Sequence, residues 1–195
     1  MITDYKNICV FCASSPNINE DYSNSAYALG ALMAANGITC VCGAGRAGLM
    51  RAVADGEIEN GGKVTGIIPK FMVDNGWCYD KLTTTIVTED MHQRKEKMAQ
   101  MADAVIALPG GCGTFEELLE IITWKQLGLY DGVIIILNIK GYYNPLLEML
   151  NKSIEEHFMK ASHASLWHTA DTPHEAISIL AQIEQEAESQ IESKY

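Results

Sequence analysis

The chain has 195 residues, 48% of them apolar, and a formal net charge of −11. That length suits one domain with a sizeable core, since roughly 100–200 residues per domain is usual. The acidic balance excludes a general nucleic-acid or membrane-surface binder, which needs a basic face, so an anionic ligand would require a locally basic pocket. No apolar run approaches the roughly 20 residues of a membrane span, and no N-terminal stretch has the charged and apolar regions of a signal peptide.

Residues 7–12 are apolar between polar neighbours and predict a buried strand. Ala13-Ser14-Ser15-Pro16 breaks it. Small hydroxyl residues there suit either a nucleotide site or an ordinary turn with a helix cap, which makes Ser14 a candidate contact. A helix is predicted over 20–36, with Tyr22, Ala26, Leu29 and Met33 at helical spacing and Asn36-Gly37 as its stop. Residues 38–42 predict a second strand.

Gly43-Ala44-Gly45-Arg46-Ala47-Gly48 follows, a match to G-x-G-x-x-G that opens a helix to about residue 60. A dinucleotide site would also need an acidic residue about 20 positions on, at the end of the next strand. That strand, 63–68, ends instead in Pro69-Lys70, and the match follows the second strand rather than the first. Gly43 and Gly45 still mark a close approach of backbone to something, with substrate as the candidate.

Residues 69–81 read as irregular and include Asn75-Gly76 and Trp77, either a lid or a connection. Then come a β-branched strand over 82–88, a charged helix over 89–101, an apolar strand over 102–108, a glycine turn and a helix to about residue 129. A central strand over 132–138, a helix over 145–158 and a short strand over 165–169 follow. A last helix starts near Pro173, capped by Asp171 or Thr172, and is expected to fray into an acidic tail over 184–195. Short connections and fully apolar strands predict an α/β fold, a doubly wound, Rossmann-like parallel sheet with helices on both faces, as one domain over 1–195. Ligands of such sheets bind beyond the carboxyl ends of the strands, so the turns at 13–16, 43–48 and 109–114 are expected to share one site.

The turn after the 102–108 strand carries the most chemistry. Gly110, Gly111 and Gly113 let amides converge on an anion and permit positive φ. Thr114 and Glu117 obey the capping-box spacing, in which Thr114 caps the helix and Glu117 sits in its first turn. That reading leaves Pro109 and two of the glycines unexplained. Phe115, Leu118, Leu119 and Ile122 are expected to face the sheet, and Glu117, Glu120, Ile121 and Trp124 the other side. That second face is covered by a partner subunit, by the substrate base or by a C-terminal helix of the same chain. Arg94 and Lys95 open the preceding helix on the same sheet edge, as phosphate or ribose ligands or as part of a solvated face. His92 is a general acid or a surface residue. The six cysteines lack clustered partners for zinc and lie mostly in strand-like runs, which suits reduced thiols in a cytoplasmic protein. Neither an NTPase P-loop nor a nucleophile elbow is present.

Pro109-Gly110-Gly111-Cys112-Gly113-Thr114-Phe115-Glu116-Glu117 matches P-G-G-x-G-T-x-x-E, with Met91-His92-Gln93-Arg94-Lys95 upstream. Together they resemble the Lonely Guy family, cytokinin riboside 5′-monophosphate phosphoribohydrolases often mislabelled lysine decarboxylase. The likeness extends to residues 9–15, 43–50, 102–108, Ile122-Thr123-Trp124 and Gly141-Tyr142-Tyr143-Asn144. It implies hydrolysis of the N-glycosidic bond of a nucleoside 5′-monophosphate, with no cofactor and no metal. It implies Arg94 and Glu117 as the catalytic pair, Gly110, Gly111, Gly113 and Thr114 as phosphate ligands, and Lys95, Glu116 and Thr123 as site neighbours. It also implies a homodimer with composite sites. The decarboxylase label fits poorly, since nothing resembles a cofactor-bearing lysine in a pyridoxal site. Ala13 and Ala44 stand where the family commonly has glycine, Cys112 where an aromatic is frequent, and Arg51 where a small residue is common.

Overall fold

The computed structural model describes residues 4–192. Strands and helices alternate throughout: β1 Asn7–Phe11, α1 Glu20–Ala35, β2 Thr39–Cys42, α2 Gly48–Glu59, β3 Val64–Pro69, α3 Lys70–Asp74, β4 Thr84–Thr88, α4 Met91–Met101, β5 Ala104–Ala107, α5 Cys112–Gln126, β6 Val133–Leu137, α6 Asn144–Glu155, β7 His168–Ala170 and α7 Pro173–Glu192. The strands form one sheet in the order β4-β3-β2-β1-β5-β6-β7, and every neighbouring pair is parallel.

This order explains the near-continuous apolar strands. Ile8 and Val10 of β1 join Leu29 and Met33 of α1, Val53 of α2 and Leu180 of α7 in one buried cluster. Cys9 and Phe11, the alternate residues, join Met98 of α4, Leu118 and Ile122 of α5 and Leu150 of α6 in a second. Side chains alternate across a strand, so a strand covered on both faces can spare neither set. The chain builds outward from β1 to β4, then returns to the other side of β1 with β5. The turns after β1 and β5 therefore lead to opposite faces, and a crevice opens between them at the carboxyl edge.

Two expectations change. Residues 69–81 are not wholly irregular, because Lys70–Asp74 forms the short helix α3. The tail expected to fray from Glu184 stays helical to Glu192; residues 193–195 lie outside the described residues. Glu184 is itself buried, and its Oε1 accepts from Asp4 N at 2.7 Å, which ties the start of that stretch to the opposite end of the chain.

α1 and α2 meet backbone to backbone. A Cβ on Gly30 would lie 2.2 Å from Val53 O, and one on Gly56 2.1 Å from Tyr27 O. Neither obstacle is a movable side-chain end, so Gly56→Ala must push the helices apart. We expect a loss of about 1–3 kcal/mol, the usual cost of overpacking, read from urea unfolding.

Beside this contact Glu57 is fully buried. Its Oε1 accepts from Lys63 N at 3.1 Å, while Oε2 finds no donor among the described residues. Burial pushes its pKa up to about 8, against a small opposing effect of the Lys63 amide. The folded state thus keeps a proton that the unfolded chain releases near pH 4.3, so the stabilisation is complete below that pH and is lost as pH rises through about 8. Urea midpoints measured from pH 5 to pH 9 should fall by a few kcal/mol equivalent, and Glu57→Gln should flatten that fall.

Candidate active site

Main-chain hydrogen bonds join the turns at the crevice. Ala13 N donates to Pro109 O at 3.1 Å, and Leu49 N to Ala13 O at 2.9 Å. Gly48, at φ +62°, lies so close to the first turn that a Cβ would come within 2.5 Å of Ser15 O. The turns after β1, β2 and β5 therefore pack as one unit.

Arg94 and Glu117 meet beneath them. The Asp90 side chain caps α4 by accepting from the amides of His92 and Gln93, and Arg94 follows one turn in. Its Nη1 donates to Glu117 Oε1 at 2.8 Å and its Nε to Ile67 O, at the end of β3, at 3.1 Å. Both side chains are buried. Gly43 makes room for the guanidinium, since a Cβ there would lie 1.9 Å from Arg94 Nη2. Gly45 lies against Met50, whose Sδ would be 2.7 Å from an added Cβ. The G-x-G-x-x-G pattern is thus accounted for by approach to Arg94, to Met50 and to the first turn. Burial raises the Glu117 pKa above its ordinary value, and the Arg94 charge opposes without cancelling this.

The glycine turn departs from the expected cap. α5 starts at Cys112 with Gly111 as its N-cap, and no side chain caps it. Thr114 is therefore a third helical residue, and Glu117 falls in the second turn rather than the first. Gly110, Gly111 and Gly113 do not adopt positive φ. Gly110 is required by contact instead, since a Cβ would strike Thr114 Oγ1 at 2.1 Å, while Gly111 and Gly113 border open space. Of the residues expected to face the sheet, Leu118 and Ile122 are buried and Phe115 packs against the same core, but Leu119 is exposed; Thr114, Glu117 and Ile121 are buried as well. Arg94 compensates the carboxylate, which is how Glu117 occupies an otherwise apolar face.

Three successive carbonyls of this turn are held by the protein. Leu108 O accepts from Tyr143 Oη at 2.7 Å, Pro109 O from Ala13 N at 3.1 Å, and Gly110 O from Tyr142 Oη at 2.5 Å. The N–H groups of Gly110 and Gly111 donate to no group among the described residues. A turn whose acceptors are occupied and whose donors are open is built to meet an acceptor, and with the first amides of α5 it suits an anion.

Residues 69–81 form a roof over Arg94. Arg46 N donates to Trp77 O at 3.1 Å and Tyr79 N to Ala44 O at 2.9 Å, while Gly45 and Cys78 form an antiparallel bridge. Tyr79 Oη donates to Asp55, and Arg51 both pairs with Asp55 and lies 5.7 Å over the Tyr79 ring. Ala44 holds φ +61°, a conformation that costs a residue with a Cβ roughly 1–2 kcal/mol. Under the roof, a cavity of about 210 Å³ brings together Ser14, Gly43, Gly45 and Arg94 with Arg46 and Trp77. A second, of about 230 Å³, adjoins Gly110 and Gly111 between Tyr22 and Tyr142.

Lys95, Glu116 and Thr123 lie elsewhere. Lys95 pairs with Glu116 and with Glu120, the latter at 3.1 Å. With His92, Trp124 and Leu129 it lines a groove of about 410 Å³ between α4 and α5. The Thr123 hydroxyl donates to Leu119 O at 2.7 Å on the exposed side of α5. Sequence reasoning passed over Arg46, Met50, Met72 and Tyr142 as lining residues, and offered Trp77 only within a stretch that was either a lid or a connection. Arg46 was findable, because it is the cation inside a glycine turn; Met72 was not, because only tertiary hydrogen bonds fold its segment back. All six cysteines are free thiols, four of them buried. Among the described residues no helix is long and apolar enough to cross a membrane.

The family model described as "Possible lysine decarboxylase" matches residues 50–180, which include Arg94 and Glu117. Cytokinin riboside 5′-monophosphate phosphoribohydrolase LOG1 of Arabidopsis thaliana is 43% identical over 155 residues, 80% of this chain and 73% of that protein. The same plant's cytokinin riboside 5′-monophosphate phosphoribohydrolase LOG5 is 40% identical over 176 residues, 90% of this chain and 77% of that protein. The chain belongs to the Lonely Guy family. The likeness to Lonely Guy proteins thus covers most of its length. Among solved structures, the molybdenum cofactor (Moco) carrier protein of Chlamydomonas reinhardtii superposes with a TM-score of 0.71 at 23% identity, over 92% of this chain and 98% of that one. That likeness shows a common fold.

Proposed function

We propose that this chain hydrolyses the N-glycosidic bond of a nucleoside 5′-monophosphate, a cytokinin riboside 5′-monophosphate or AMP, to free base and ribose 5-phosphate. The observation that carries the reading is the buried Arg94–Glu117 pair set at the carboxyl edge of the sheet beside a turn of open amides. The amides of the turn and of the first turn of α5, with Thr114, hold the 5′-phosphate. Ser14, Gly43 and Gly45 border the neighbouring compartment, and Lys95, Glu116 and Thr123 lie on the outer side of the pair. As the C–N bond breaks, its electrons leave with the base and positive charge develops on the ribose. The Glu117 carboxylate opposes that charge and takes a proton from the water whose oxygen bonds to the anomeric carbon; the base takes up one proton from solvent, and Glu117 returns its own to solvent, so that one water is consumed in all. Arg94 fixes the carboxylate.

Incubation with AMP and with isopentenyladenosine monophosphate, followed by chromatography for free base, tests the reading. No base released from any purine or pyrimidine monophosphate would overturn it. A carrier of a phosphorylated ligand is the second reading, favoured by the fold shared with the Moco carrier. It predicts saturable binding without product, and a carboxylate beside the anion serves it poorly. We further propose a homodimer, supported by the groove that carries Trp124 and the strongly exposed Leu129, and by Leu127, exposed two residues earlier. Light scattering on the eluted protein decides that. The free thiols favour a reducing compartment such as the cytoplasm.

A further inference from the structure

The phosphate turn is oriented by two adjacent tyrosines with different surroundings. Tyr143 is buried; its hydroxyl takes Leu108 O, and its amide donates to Asn138 Oδ1 at 2.7 Å. Tyr142 is partly exposed, borders the 230 Å³ cavity beside Gly110 and Gly111, and donates to Gly110 O. Its ring is held edge-on to Tyr22 and Tyr143, at centroid distances of 6.0 and 5.2 Å, and stacks on Phe115 at 6.3 Å. The hydroxyl therefore has a fixed position.

A trans peptide is planar, with its C=O and N–H pointing opposite ways. Gly110 and Gly111 share one such unit, and no cis bond occurs among the described residues. Holding Gly110 O against Tyr142 thus aims Gly111 N–H away from the aromatic cluster. Gly111 has no side chain to brace its peptide and meets nothing within 4 Å where a Cβ would be. A diglycine unit is the least restrained of all backbones. Among the described residues, the Tyr142 hydroxyl is the one hydrogen-bond partner that fixes this plane.

We infer that Tyr142 is a positioning residue for the phosphate turn, its hydroxyl locking the Gly110–Gly111 peptide so that the Gly111 amide is presented to the 5′-phosphate. This rests on the nucleotide reading given above. Tyr142 touches the turn and leaves the reacting bond to other groups, so its loss belongs in binding rather than in chemistry.

The test compares wild type, Tyr142→Phe and Tyr143→Phe. The phenyl ring preserves the contacts with Phe115 and Tyr22, and thermal melting verifies folding. Calorimetry with ribose 5-phosphate and with inorganic phosphate, and the KM and kcat for AMP, are the readouts. Tyr142→Phe should weaken ribose 5-phosphate and raise KM by roughly tenfold, the effect of about one hydrogen bond. Its kcat should stay within about twofold and its affinity for free adenine should be unchanged. Tyr143→Phe should lower the melting temperature without selectively weakening phosphate. Unchanged phosphate affinity in Tyr142→Phe, or a fall in kcat at constant KM, overturns the inference. If wild type releases no base, the nucleotide-hydrolase reading fails, and the ribose 5-phosphate and phosphate titrations still decide the role of Tyr142.

Discussion

Replacing Glu117 with glutamine is expected to lower kcat for base release by about 10³-fold, within the range usual for losing a positioned acid or base. Glutamine keeps the shape and still offers Arg94 an acceptor at the place of Oε1, 2.8 Å from Nη1. Folding should therefore survive, with a stability loss of about 1–3 kcal/mol for weakening a buried charged contact. KM should change little if, as proposed, main-chain amides supply the grip on the phosphate. A variant that retains full turnover would remove Glu117 from the mechanism. The wild-type pH profile carries a second signature. Burial disfavours the carboxylate more than Arg94 favours it, so the form that accepts a proton appears only above the ordinary carboxylate range near 4.3. The acid limb of kcat/KM should be displaced upward and should vanish with the residual activity of Glu117→Gln.

Arg94→Ala has the other large effect, and it strikes folding as well as turnover. Removing the guanidinium leaves Glu117 buried beside no cation and leaves Ile67 O without its donor. Breaking one side of a buried pair typically costs about 3–5 kcal/mol. The carboxyl responds by holding its proton to still higher pH, so the variant should be less destabilised in acid than at neutral pH and should lose about 10²-fold or more in kcat/KM. Arg94→Lys should not restore activity, because one ammonium cannot replace a planar fork that bonds Ile67 O and Glu117 together. Gly43→Ala provides an independent test, since its Cβ would fall 1.9 Å from Nη2 and must dislodge the same guanidinium with Arg94 still present. Urea melts and steady-state kinetics on the three variants distinguish these effects, and normal activity in Gly43→Ala would show that the observed Arg94 pose is not needed.

The sheet was legible in the sequence because strand burial writes itself in composition: residues 132–138 and 102–108 are too apolar for anything else between polar turns. Boundaries shifted where capping decided them. Cys112 and Gly113 read as turn residues, yet they are helical, because no side-chain cap marks the start of α5. The assignment of α5 faces held for Leu118 and Ile122 and failed for Leu119. Periodicity sets Glu117 on a second, covered face, and it does not show that the cover is α4, whose Arg94 meets the buried carboxylate. The sequence left residues 69–81 as either a lid or a connection, and it could not decide, since the position of that stretch depends on hydrogen bonds between the 43–48 turn and residues 77–79. Arg51 and Ala44 looked like departures from the family. In the folded chain Arg51 clamps Tyr79 against α2, and Ala44 accepts the Tyr79 amide.

The turn at Pro109–Gly111 leaves its Gly110 and Gly111 amides open, while the side chain of Cys112 is exposed and takes no part in holding the turn. An acceptor seated there would be held by main chain, whichever side chain stands at position 112.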